Sequence, residues 1–146
     1  MELLRKVASF GTNHDELKNI YILFIRSHLE QSAVVWHSSL TENNRNDLER
    51  VQKTALKIIL GDKYISYEQA LQKLELENLH DRRKYLGLSF AKKCCKNPKT
   101  SDMFPRNSRI HNMDTRKPEE FKVQHANTDR LLKSSIIYMQ NLLNDD

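Results

Sequence analysis

Residues 48–59 read L-E-R-V-Q-K-T-A-L-K-I-I, and their spacing decides the fold. Leu48, Val51, Ala55, Ile58 and Ile59 follow i, i+3, i+7, i+10, i+11 and make one face of an α-helix. Arg50, Lys53 and Lys57 fall on the opposite face as a basic stripe. Thr41, Asn43 or Asn44 can cap this helix after Leu40, and Gly61 stops it.

The same period extends to both sides. Met1 to Phe10 reads as a short amphipathic helix ending at Gly11. A second helix runs from about His14 to Glu30, with Leu17, Tyr21, Phe24 and His28 on one stripe. Ile20 and Leu23 widen that stripe on one side, and Ile22, Ile25 and Leu29 on the other. Such a helix is expected to be buried on several sides, with His28 packed. Ser66 and Gln69 fit a capping box that opens a short helix through Ala70, Leu71 and Leu74. Asn78 can cap a fifth helix that stops at Asn97-Pro98, with Leu79, Leu86 and Phe90 inward and Cys94 at the margin. Thr128 to Leu143 reads as a last helix built on Leu131, Ser135, Tyr138, Met139 and Leu142. The expected fold is all-α, a bundle of five to six helices with a long irregular basic loop before the C-terminal helix. Its expected parts are a helical domain at 1–97, a loop at 98–127, and a terminal helix at 128–146 that packs on the domain or stays partly free.

Composition agrees. In 146 residues, 38% are hydrophobic and 29% charged, enough for one modest core. Three Gly and three Pro exclude collagen-like and Gly- or Pro-rich classes. The longest apolar stretch, Ile20 to Ile25, is stopped by Arg26 and is far short of the roughly 20 residues a membrane span needs. No secretory signal is visible at the N-terminus, and the adjacent Cys94 and Cys95 do not form a disulfide framework, so an intracellular, non-secreted location (nucleus or cytoplasm) and no membrane partner are expected. The net charge of +5 is unevenly spread: Asn78 to His125 carries twelve Lys/Arg against five Asp/Glu. A polyanion such as nucleic acid would account for this, and so would a solvated, loop-rich surface.

Two basic groups stand as candidates: Arg50, Lys53 and Lys57, and then Arg82, Lys84, Lys92, Lys93 and Lys96. Each fits either phosphate contact or an ordinary outer face. Arg83 falls near the apolar stripe of the fifth helix and needs a partner; Glu30 or Glu49 is expected to supply it. Trp36, at the end of an apolar run, is expected in the core, and Tyr64, Tyr67 and Tyr85 in packing or at a rim. No C-x-x-C or H-x-x-x-H spacing joins Cys94, Cys95, His111 and His125, so no metal and no cofactor is expected. No local signature makes a Ser-His-Asp triad.

Four words recur in a known order: Y-I-L-F-I-R-S-H-L-E-Q-S-A-V-V-W at 21–36, L-E-R-V-Q-K-T-A-L-K-I-I at 48–59, S-Y-E-Q-A-L at 66–71 and L-H-D-R-R-K-Y-L at 79–86. With their gaps they resemble the region after the catalytic palm in reverse transcriptases of non-LTR (LINE-type) retrotransposons. Thr115-Arg116 and S-S-I-I-Y-M-Q-N-L-L-N at 134–144 are similar to the C-terminal stretch of the same reading frames. Ser27 and Gln31 depart from the pattern, where many relatives carry Pro and an aromatic residue.

The resemblance implies a helical thumb with further C-terminal helices, a fold that holds a template–primer duplex. It adds Arg116 to the candidate nucleic-acid contacts. It also implies a palm with an aromatic-x-Asp-Asp turn and a distant Asp, which hold two metal ions. The paired Asp of this chain, Asp145-Asp146, is expected to be a frayed, solvated terminus. The expectation is therefore a truncated, catalytically inactive polymerase remnant, at most binding RNA or an RNA–DNA duplex. The alternatives are a helical module that meets another protein or itself through the apolar second helix, and a reading frame without function.

Overall fold

The computed structural model describes residues 1–110 and 117–146. The protein is all-α: no strand forms among the described residues, and Arg106 with Phe121 makes an isolated antiparallel bridge. In chain order the α-helices are α1 (Glu2–Ser9), α2 (His14–Ile20), α3 (Ser27–Glu30), α4 (Ala33–Trp36), α5 (Glu42–Leu60), α6 (Tyr67–Lys73), α7 (Leu79–Lys96), α8 (Asn107–Ile110), α9 (Asp129–Leu132) and α10 (Ser135–Asn144). A π-helical turn, Tyr21–Arg26, joins α2 to α3 into one rod. No helix among the described residues is long and apolar enough to cross a membrane.

Local sequence sets the ends. Thr41 accepts from the Asn44 N–H, Ser66 from Gln69, and Asn78 Oδ1 from Asp81. Each supplies an oxygen to an otherwise unpaired N–H of a first turn. Gly61 closes α5 at φ +52°, a conformation in which a Cβ is strained.

The chain divides into two compact units, Met1–Gln31 with Thr41–Arg82, and Ser32–Leu40 with Arg83–Asp146. This division falls inside α7, rather than at residue 97. The physical reason is that Ser32–Leu40 carries α4, and α4 packs with α10.

In the first unit Leu4, Leu17, Tyr21, Ala55, Leu56, Ile59, Leu60, Ala70 and Leu74 form the core. Gln52 is buried among them: it accepts from the Tyr21 hydroxyl at 2.9 Å and donates to the Glu77 carbonyl at 2.8 Å. The rod 14–30 is less enclosed than its composition suggests. Leu17 and Tyr21 are buried, whereas Leu23 and Phe24 are 66% and 58% exposed and His28 is exposed. The elements of a small unit cover one side of an apolar rod, not all of it.

In the second unit the core gathers Ala91, Cys94, Phe104 and Met139, with Val34, Cys95, Phe121 and Leu143 against it. The buried stripe of α7 here is Arg83, Gly87, Ala91 and Cys94, so Phe90, expected inward, is exposed. Gly87 lets Leu142 and Tyr138 approach within 4 Å of where a Cβ would stand. The expected single helix from 128 is two, because Ser134 is extended (ψ 149°) at the N-cap of α10. Leu131 consequently lies at the surface, and Ile137, Met139, Gln140 and Leu142 are buried. The basic loop is folded where it is described. Asn144 clamps Phe121, accepting its N–H at 2.8 Å and donating to its carbonyl at 3.0 Å, and Gln140 binds Met103 O and Gln124 N–H.

Candidate nucleic-acid interface

In the first unit the stripe on α5 is exposed, but its cations are engaged. Arg50 Nη1 bonds Asp47 Oδ1 at 3.0 Å. Lys53 Nζ stands 4.9 Å from the centre of the Tyr67 ring, and Lys57 Nζ 5.4 Å from that of Tyr64. Such cation–π contacts hold the ammonium against its own unit. A groove of about 570 Å³ runs beside the stripe. Glu49, Glu68 and Asp81 line it together with Arg50, Lys53 and His80, so its charge is mixed and a polyanion meets repulsion there.

Glu30 and Glu49 are structural, with partners other than the expected one. Glu30 Oε1 accepts from Arg82 Nε at 2.5 Å and faces Arg26 Nε at 3.6 Å. Glu49 accepts from the Tyr67 hydroxyl at 2.6 Å and from the His80 N–H at 3.0 Å. Burial, then the bond to Glu49, pushes the Tyr67 hydroxyl above the usual tyrosine range. Arg82, a candidate phosphate contact from sequence, is thereby an intramolecular ion-pair donor. Successive residues on a helix point about 100° apart, so Arg82 reaches Glu30 while Arg83 turns elsewhere.

Arg83 belongs to the second unit and is fully buried. Its Nε donates to His37 Nδ1 at 3.3 Å, and its guanidinium carbon lies 5.7 Å from the centre of the Trp36 ring. Trp36 itself is half-buried, a lid on Arg83 rather than a core centre. His37 also meets Tyr138 edge-on, with ring centres 5.7 Å apart.

The outer face of α7 is different. Tyr85, Leu88, Ser89, Lys92, Lys93 and Lys96 line a hollow of about 280 Å³, and among the described residues no carboxylate is in its wall. Lys93 and Lys96 form no ion pair among the described residues. Lys92 Nζ holds Asp146 Oδ2 at 2.5 Å, so Asp146 is engaged by a helix lysine and not simply solvated. Lys84 is exposed and lies outside this hollow. The structure thus brings together three of the five sequence candidates of α7. Sequence reading left Tyr85 out of the set, although its place one turn before Ser89 and two before Lys93 was a usable signal.

Two cations of the basic loop, Arg106 and Lys117, are neutralised within the loop itself where it is described. Arg106 pairs with Glu119 and lies over the Phe121 ring, and Lys117 pairs with Glu120 at 2.6 Å. That bond holds the Lys117 ammonium above its ordinary range. Arg116 and His111 lie outside the described residues. Burial pushes the Cys95 thiol up, which disfavours the nucleophilic thiolate. Among the described residues no group of three or more His, Cys, Asp or Glu is placed to hold a metal ion. No protein-family model matches the chain, and neither a curated protein nor a solved structure matches it.

Proposed function

We propose that the chain is the thumb and C-terminal part of a non-LTR retrotransposon reverse transcriptase, and that what it retains is a nucleic-acid grip. The four words at 21–36, 48–59, 66–71 and 79–86 support the origin. One structural observation carries the grip: among the described residues, Lys93 and Lys96 stand without a carboxylate on the outer face of a helix whose other face is buried. The aromatic-x-Asp-Asp turn of a palm is not among these 146 residues, so no polymerase step is assigned to them.

Binding to an RNA–DNA duplex, titrated between about 50 and 200 mM salt, tests this reading. A phosphate-binding surface gives a negative log–log slope. Neutralising Lys93 and Lys96 makes it shallower, and neutralising Lys53 and Lys57 changes it less. Absence of binding to the duplex and to single strands alike at low salt refutes the proposal.

A second reading rests on Leu23 and Phe24, both largely exposed on the rod 14–30. Apolar side chains presented together mark an interaction surface. It predicts concentration-dependent sedimentation that Leu23→Glu abolishes, with no salt-dependent nucleic-acid binding.

A further inference from the structure

Tyr85 is 63% exposed, at one end of the lysine hollow on α7. Its ring and hydroxyl have no partner among the described residues. Lys92, Lys93 and Lys96 stand at the other end, and Leu88 with Ser89 floors the space between. The eleven helical steps from Tyr85 to Lys96 span about 16 Å. An aromatic ring followed by cations along one groove is the arrangement that grips a single strand, where bases offer their faces and phosphates run alongside. In a duplex those faces are covered by neighbouring bases, and an exposed Tyr has nothing to stack on.

The chain already seats an anion at one of these lysines. The Asp146 carboxylate occupies Lys92, an exposed contact of the weak kind that a phosphate displaces. The contrasting groove on the first unit carries three carboxylates and offers no such seat.

We propose that the outer face of α7 binds single-stranded nucleic acid, one base stacked on Tyr85 and the adjoining phosphates on Lys92, Lys93 and Lys96, with Asp146 competing for Lys92. The proposal rests on the nucleic-acid reading above and narrows its ligand to a single strand.

The test is fluorescence anisotropy of the full chain with a labelled single strand of about 12 nucleotides and with an RNA–DNA duplex of equal length. Tyr85→Ala is expected to weaken single-strand binding by about 5- to 20-fold, and Tyr85→Phe by less than about twofold, because stacking needs the ring and not the hydroxyl. Replacing Lys93 and Lys96 by Gln lowers the single-strand salt slope by about 1.4. Asp146→Asn tightens binding. Tyr85 is exposed, so circular dichroism of Tyr85→Ala is expected to match the parent chain. If Tyr85→Ala binds the single strand as the parent does while the lysine variant loses binding, the stacking seat is refuted and the nucleic-acid reading survives. If the parent chain binds neither ligand, both fall together.

Discussion

Arg83 donates through Nε to Nδ1 of His37 at 3.3 Å, and both side chains are buried in the second unit. An arginine in the stripe of Gly87, Ala91 and Cys94 takes a position that helical period assigns to an apolar residue. It is tolerated because His37 accepts from it and Trp36 covers it. Arg83→Ala leaves a cavity and strips His37 of this donor. We expect a loss of about 3 kcal/mol. Lys53→Ala, at an exposed site, is expected to cost under about 0.5 kcal/mol. Urea denaturation of the two variants checks this, and equal midpoints contradict it.

The first unit is expected to be alkali-sensitive. Burial is the main cause that lifts the Tyr21 and Tyr67 hydroxyls above the ordinary value of 10.0, and for Tyr67 the bond to Glu49 adds to it. The folded state keeps both protons while the unfolded chain releases them. Their contribution is therefore fully present below pH 10 and is lost as pH rises above it. Tyr67→Phe is expected to flatten the fall of Tm with pH above that point. It also costs about 1–2 kcal/mol at neutral pH through the lost bond to Glu49. Thermal melts at stepped pH, followed by tyrosinate absorbance, measure both effects.

Asn144 ties α10 to the loop through both backbone groups of Phe121. The amide does from a side chain what a neighbouring strand does from its backbone. Asn144→Ala is expected to cost about 1–2 kcal/mol and to speed amide exchange at Phe121. Exchange at Gln52, in the other unit, is expected to stay unchanged. Unaltered exchange at Phe121 sinks this assignment.

Glu75 has φ +53° just after α6. The Leu76 N–H bonds the Leu71 carbonyl at 2.9 Å and the Glu75 N–H bonds that of Gln72 at 3.2 Å, which is the Schellman pattern. A side chain at this left-handed position is strained, and glycine relieves the strain. Glu75→Gly is expected to stabilise the chain by about 0.5–1 kcal/mol, read as a raised denaturation midpoint. A lowered midpoint contradicts this.

The helix ends set by capping residues were legible in the sequence because their causes are local. Thr41, Ser66, Asn78 and Gly61 act within about one turn of where they stand. The all-α class followed from the helical period that runs through most of the chain. Only part of the candidate site was legible. The cluster on α7 contained the right lysines, but it also contained Arg82, and nothing in residues 79–96 reveals that Glu30 claims that side chain from 52 positions away. The α5 stripe read as free charge because Tyr64 and Tyr67, which cover Lys57 and Lys53, come from segments that approach only after folding.

The amino-acid order by itself determined the main helices and the ends that Thr41, Ser66, Asn78 and Gly61 set, since hydrogen-bond capping and helical period depend on near neighbours; the break at Ser134 was not among them. Tertiary structure decided which cations remain open to a partner. Arg82 and Arg83 are adjacent in sequence, yet one turns to a carboxylate and the other is buried against an imidazole. That choice depends on side-chain direction and on groups 46 and 52 residues distant, which packing alone brings within bonding range.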